Sequence, residues 1–206
     1  MRPLDGESLS SGNVDEVLSR ASGMDAVAIG PGLGNANETL RAVQEIIRKC
    51  DAPLVIDADA IAACGAKRSI LRGKKGVITP HAGEFRKLTG KNLPEDIRKK
   101  SEMVRESAAS LKMTILLKGP TDVISDGTFV KLNRIHNDAM TVGGTGDVLT
   151  GTVAGLLAQG ATPFAAARMA AFTCGLAGNL VFEEKSYGLL ATDIIDKIPL
   201  VLRRYL

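Results

Sequence analysis

Short apolar runs and amphipathic stretches alternate along the first two thirds of the chain. Asp25-Ala-Val-Ala-Ile29 is apolar and closes on Gly30-Pro31-Gly32, as a buried strand does. Leu40, Val43, Ile46 and Ile47 then follow at helical spacing, and Asn35 with Glu38 three residues later predicts a capping box at the start of that helix. The runs 53–57 and 75–79 read as two further strands. Between Pro94 and Lys112 a charged stretch carries Ile97, Met103, Val104 and Leu111 as its apolar stripe. The run 114–118 is another strand, and 123–125 with 129–132 form a hairpin around Asp126-Gly127. From Thr145 onward the chain becomes mostly helical. The uncharged run 148–167 is interrupted by Gln159-Gly160 and Pro163, so it reads as two buried helices joined by a turn.

Unbroken apolar strands separated by helices belong to a parallel sheet covered on both faces. The expected fold is therefore α/β, a three-layer α/β/α arrangement with a mostly parallel central sheet. No linker or repeat divides the 206 residues, so one domain over 1–206 is expected.

Composition narrows the partners. Hydrophobic residues are 45% and charged residues 24%, which is ordinary for a globular chain and excludes a disordered one. The net charge of +3 is small and evenly spread, and there is no Trp, so neither a nucleic-acid nor a membrane partner is expected. Cys50, Cys64 and Cys174 have no metal-ligand spacing and read as buried free thiols, which fits a cytoplasmic protein. The first residues contain no apolar signal-peptide core.

In open sheets of this class, ligands bind beyond the carboxyl ends of the strands. Four polar clusters fall at such ends: Gly30-Pro-Gly32-Leu-Gly34, Asp57-Ala-Asp59, Thr79-Pro-His81-Ala-Gly-Glu84 and Lys118-Gly119-Pro120-Thr121. The sharpest motif, Gly143-Gly144-Thr145-Gly146-Asp147-Val-Leu-Thr150-Gly151, leads into an apolar helix. Unobstructed amides at a helix N-terminus suit a phosphate or a phosphoryl group in flight. Asp147 in that first turn is placed to take a proton from an attacking hydroxyl. Lys118 and the amides after it suit a nucleotide phosphate.

Other features stay open at this level. Gly30-x-Gly32-x-Gly34 with Asp57 has the outline of a dinucleotide fingerprint but not its third glycine spacing, and equally fits a tight turn or another ligand loop. Asp57 and Asp59 read either as Mg²⁺ ligands through water or as helix caps. His81 reads as ligand-contacting or structural with equal weight, and His136 as a surface residue.

Together, Val77-Ile-Thr-Pro-His81-Ala-Gly-Glu-Phe85, Asp57-Ala-Asp-Ala60, Leu117-Lys-Gly-Pro-Thr121 and the 143–151 loop resemble the ADP/ATP-dependent NAD(P)H-hydrate dehydratases of the ribokinase-like superfamily. The resemblance runs from about Met24 to the C-terminus. It implies dehydration of hydrated NADH or NADPH back to the intact cofactor. ADP or ATP would first phosphorylate the substrate hydroxyl, and phosphate would then leave. It implies Asp147 as the base and a substrate contact, with Gly144, Thr145 and Gly146 as the anion hole and Gly146 also touching AMP. Lys118, Gly119, Pro120, Thr121 and Asp122 would line the adenine-nucleotide site. His81 and a glycine of the Gly32/Gly34 pair would hold the hydrated dinucleotide, and Mg²⁺ would bridge the phosphates. Family members ordinarily begin with a further strand–helix segment. The chain is accordingly expected to be shortened at that end, with an exposed sheet edge favouring a homo-oligomer. A small-molecule kinase for a thiazole or hydroxymethylpyrimidine alcohol would use the same anion hole. A nucleotide-binding relative without turnover and a nicotinamide-dependent oxidoreductase complete the alternatives.

Overall fold

Six strands carry the alternation into three dimensions. In the computed structural model, which describes residues 8–205, β1 (Val27–Ile29), β2 (Leu54–Ile56), β3 (Gly76–Ile78) and β4 (Thr114–Leu117) lie parallel. β5 (Asp122–Ser125) and β6 (Val130–Asn133) extend the same sheet as an antiparallel hairpin. Spatial order equals sequence order, β1 to β6. The register sets Ile29 beside Ile56, Val55 beside Val77 and Ile78 beside Ile115.

A parallel sheet that always advances in one direction, with right-handed crossovers, deposits its connecting helices on one face. Those helices are α2 (Asn37–Lys49), α3 (Ala58–Ala66), α4 (Ala82–Thr89) and α5 (Ile97–Leu111). Leu54, Ile56 and Ile78 point toward them and pack with Val43, Ile46, Ile47 and Ile61. Phe85, Val104 and Ala108 cover Ile115, Leu117 and Val123 on the same side. The alternate residues Val55, Val77, Leu116 and Ile124 point the other way, onto α6 (Thr145–Ala158) and α7 (Pro163–Lys185). Helix α8 (Ala191–Tyr205) packs Ile194 and Val201 against Ala177 and Val181 of α7. The three-layer α/β/α expectation holds.

Two local expectations change. Helix α1 (Val14–Ala21) lies where no element is expected, burying Val14 and packing Val17, Leu18 and Ala21 against the core. Its signal is present in the chain, an apolar stripe at i, i+3, i+4 and i+7. The Asn35 capping box does not form, because α2 begins at Asn37 with Ala36 at its cap and no side-chain cap bond. Helix α7 is long and apolar enough to cross a membrane by length and composition. Here it is a core helix, with alanines against the sheet and its far flank under α8. All three cysteines are free and buried. Burial pushes the Cys64 thiol up to about 12 and the Cys174 thiol up to about 11, which makes both inert at neutral pH.

Candidate functional site

Parallel strands leave their carboxyl ends at one rim, and the chain places its chemistry there. The β2 tip delivers Asp57, the β3 tip His81, and the β4 tip Lys118. From the opposite face α6 brings its N-terminus to the same rim.

Gly144 caps α6 with φ of 92°, a left-handed backbone that a β-carbon would strain. The first bond to a helical carbonyl runs from the Val148 amide to Gly144 O at 3.1 Å. The amides of Thr145, Gly146 and Asp147 precede it and have no partner within the helix. The Thr145 hydroxyl is shared between the carbonyls of Met140, at 2.9 Å, and Val142, at 3.1 Å, which folds the loop back on itself. The Asp147 side chain is exposed on this same first turn. It shares a helix face with Thr150, three residues on, and Thr150 points down to the β2 tip.

Asp57 sits beneath that turn and is only 2% exposed. One carboxylate oxygen accepts from Lys118 Nζ at 2.8 Å and the other from the Thr150 hydroxyl at 2.7 Å. Asp57 and Lys118 stand two strands apart, about 10 Å, a gap that a lysine stem and an aspartate span. Lys118 Nζ also lies 3.9 Å from Glu84 Oε2, and 3.6 Å from where a β-carbon on Gly146 would stand. The ammonium therefore faces the first turn of α6. Asp59 instead accepts the Gly34 amide at 2.9 Å.

Of the two readings of this acidic pair, the structure overturns the helix cap. Asp57 stands at the cap position of α3 but makes no side-chain cap bond, and Asp59 ties down the 30–34 loop. The dinucleotide outline also fails on geometry. Its acid is buried under Lys118, and α2 starts three residues past Gly34, so the glycines do not open directly into a helix as that fingerprint requires.

His81 caps α4, its Nδ1 accepting the amides of Gly83 at 3.0 Å and Glu84 at 3.4 Å. Glu84 answers by accepting the His81 amide at 2.8 Å. With Nδ1 accepting, the ring proton sits on Nε2, 3.4 Å from Glu84 Oε1. The side chain remains 60% exposed, so it is a cap whose ring still reaches the rim.

Between the β4 tip and α6–α7 opens a cleft of about 510 Å³. Its polar wall includes His81, Lys118, Gly119, Pro120, Thr145 and Gly146. Its other wall, Ile135, Met140, Leu149, Ala171, Cys174 and Gly175, is mostly apolar and suits a flat aromatic base. Of the expected site residues, Thr121, Gly144 and Asp147 lie beside the cleft without lining it. Gly32 and Gly34 belong to the β1 tip on the far side of Asp57.

His136 corrects the surface reading. It lines the cleft, and its Nε2 donates to Pro120 O at 3.0 Å. Asp122 stands behind it, accepting from Gly119 N at 3.1 Å and Asn133 Nδ2 at 2.9 Å. Burial, partly offset by the Asn133 and Gly119 bonds, holds its carboxyl above the ordinary carboxylate value. The folded protein thus retains this proton above about pH 3.9, where the unfolded chain releases it. Stability from Asp122 is full below that point, falls as pH rises through the folded value, and is constant beyond it. Asp122→Asn is expected to remove that slope from thermal melts taken across the acid range. A slope unchanged by the substitution would contradict this assignment.

Among the described residues no group of three His, Cys, Asp or Glu is gathered to hold a metal. Glu84 is the carboxylate nearest Lys118 at the rim after Asp57.

The model of the NAD(P)H-hydrate dehydratase family matches residues 3–200. The match includes α1, so the likeness begins well before Met24. A bifunctional NAD(P)H-hydrate repair enzyme of Pyrobaculum aerophilum is 47% identical over 98% of this chain, which spans only 40% of that protein's length. An ADP-dependent (S)-NAD(P)H-hydrate dehydratase of Cenarchaeum symbiosum is 39% identical over 98% of this chain and 71% of its own. Among solved structures, the ADP/ATP-dependent NAD(P)H-hydrate dehydratase of Bacillus subtilis, co-crystallised with ATP and Mg²⁺, is 33% identical. It covers 92% of this chain and 71% of its own with a TM-score of 0.76. The fold is the ribokinase-like one.

Proposed function

We propose that this chain, which belongs to the NAD(P)H-hydrate dehydratase family, removes water from hydrated NADH or NADPH at the expense of ADP. The observation that carries the reading is the meeting of one cation with one helix terminus. The Lys118 ammonium faces the first turn of α6, whose leading amides have no partner within the helix, and the exposed Asp147 carboxylate stands on that same turn.

The adenine ring of ADP occupies the apolar end of the cleft, and its phosphates run past Gly119 and Lys118 toward Gly146. The hydrated dinucleotide lies over the β1–β3 tips, against the 30–34 loop and His81. Asp147 takes the proton from the substrate hydroxyl as its oxygen attacks the terminal phosphorus of ADP. The bond from that phosphorus to the bridging oxygen breaks, and AMP leaves. The amides of Thr145 and Gly146, with Lys118, neutralise charge on the phosphoryl oxygens as they pass. The ring nitrogen then pushes electrons toward the carbon bearing the new phosphate. Phosphate departs, a ring proton is lost, and the dihydronicotinamide is restored. When bound, Mg²⁺ supplies further neutralisation of phosphate charge, and Glu84 is the residue to meet it through water.

The test is incubation with hydrated NADH, Mg²⁺ and ADP, following absorbance of restored dihydronicotinamide, with ATP in a parallel arm. Nucleotide-dependent restoration is expected. Phosphate transfer to a thiazole or hydroxymethylpyrimidine alcohol without restoration would instead mark a small-molecule kinase. Nucleotide binding with neither outcome would mark a protein without turnover. Lys118→Ala is expected to weaken ADP affinity roughly tenfold or more, the scale of one charge-assisted hydrogen bond. Calorimetry checks this, and unchanged affinity would remove Lys118 from the nucleotide site.

A further inference from the structure

We propose that Asp57 is a positioning residue, acting through Lys118 to keep that ammonium at the anion loop. The inference rests on the phosphoryl-transfer reading above and extends it to a residue outside the cleft.

Asp57 is almost wholly buried and touches two groups that belong to different parts of the site. Lys118 comes from the β4 tip, where the nucleotide loop begins. Thr150 belongs to α6, one turn below Asp147. A single carboxylate thus clips the nucleotide loop to the helix that carries the base. Lysine has a flexible four-carbon stem, and an unpinned ammonium at a rim spreads over many rotamers in water. Pinned at 2.8 Å by Asp57 and steadied at 3.9 Å by Glu84, it is held beside Gly146 before any phosphate arrives. Preorganisation of this kind is what makes a cation effective toward charge that develops during transfer. Stability alone gives a weak reason for the arrangement, because buried ion pairs are often matched by apolar replacements.

A double-substitution cycle separates positioning from a merely structural role. Calorimetry measures ADP affinity for the wild type, Asp57→Asn, Lys118→Met and the double variant. Asn keeps the shape but not the charge, and Met keeps the stem. Asp57→Asn is expected to weaken ADP binding roughly tenfold when Lys118 is present and less than about twofold when it is Met. The same non-additivity is expected in kcat for restoration of dihydronicotinamide. Equal losses in both backgrounds would overturn the proposal, as would a wild type that binds no ADP. If the wild type binds ADP but restores nothing, the dehydratase reading fails while the affinity cycle still decides the role of Asp57. Should Asp57→Asn not fold, Thr150→Val replaces it in the same cycle. A loss of roughly threefold that vanishes with Lys118→Met supports positioning, and equal losses contradict it.

Discussion

Asp147→Asn is expected to lower kcat at least about 100-fold, the lower bound for losing a general base, while ADP affinity stays within about threefold. The two halves of that result come from different parts of the rim. The carboxylate is exposed on the first turn of α6 and does not line the cleft. Removing its charge therefore leaves Lys118, Gly119 and the apolar wall as they were. Asn keeps the size and the helix position, so the cradle of amides before Val148 is preserved. Only the group that accepts the hydroxyl proton is lost. Steady-state kinetics beside calorimetry reads both quantities. Near-normal turnover would take the base away from Asp147, and a parallel loss of ADP binding would make its role electrostatic.

Gly30→Ala is expected to be among the most damaging single-methyl changes in the fold. Gly30 follows β1 with φ of 139°, and a β-carbon there would stand 1.8 Å from the Asp57 carbonyl oxygen. The backbones of the β1 and β2 tips touch at this point. The side chain can enter only by pushing Asp57, and with it Lys118, out of place. Backbone strain and overpacking together set the expected cost at about 3 kcal/mol or more. For a chain of this length that is roughly a 10 °C fall in Tm. Gly32→Ala is the control. Its φ of 71° is also left-handed, but a β-carbon there meets nothing within 4 Å, so about 1 kcal/mol is expected. Equal losses for the two variants, measured by thermal melts, would show that the close approach of the two strand tips is not what Gly30 provides.

The strand tips are legible in the sequence because each apolar run ends on glycine, proline or a charged residue. That punctuation alone assigns Gly30, Asp57, His81 and Lys118 to one rim, whereas the 143–151 loop is legible only as a helix N-terminus. Helix α1 is easily passed over although its stripe is present, since eight residues among Ser, Asp and Glu look polar until the spacing of Val14, Val17, Leu18 and Ala21 is counted. The Asp57–Lys118–Thr150 contact is not legible, because Lys118 and Thr150 lie 61 and 93 residues beyond Asp57. Only strand order brings them together, and strand order is a property of the whole sheet. The bare spacing of Asp147 and Thr150 is the one local clue, since it sets both on one face of α6. His136 reads wrongly as a surface residue for the same reason. It is set in the cleft by the β6 strand returning beside β5 and by the carbonyl of Pro120, neither of which leaves a local mark.

The most direct test is a stoichiometry. With hydrated NADH, Mg²⁺ and ADP, the account predicts that AMP, inorganic phosphate and restored dinucleotide accumulate in equal amounts, and that all three stop together in Asp147→Asn. Restoration without AMP, or AMP released while the hydrate stays unchanged, would contradict a hydroxyl phosphorylated at the head of α6.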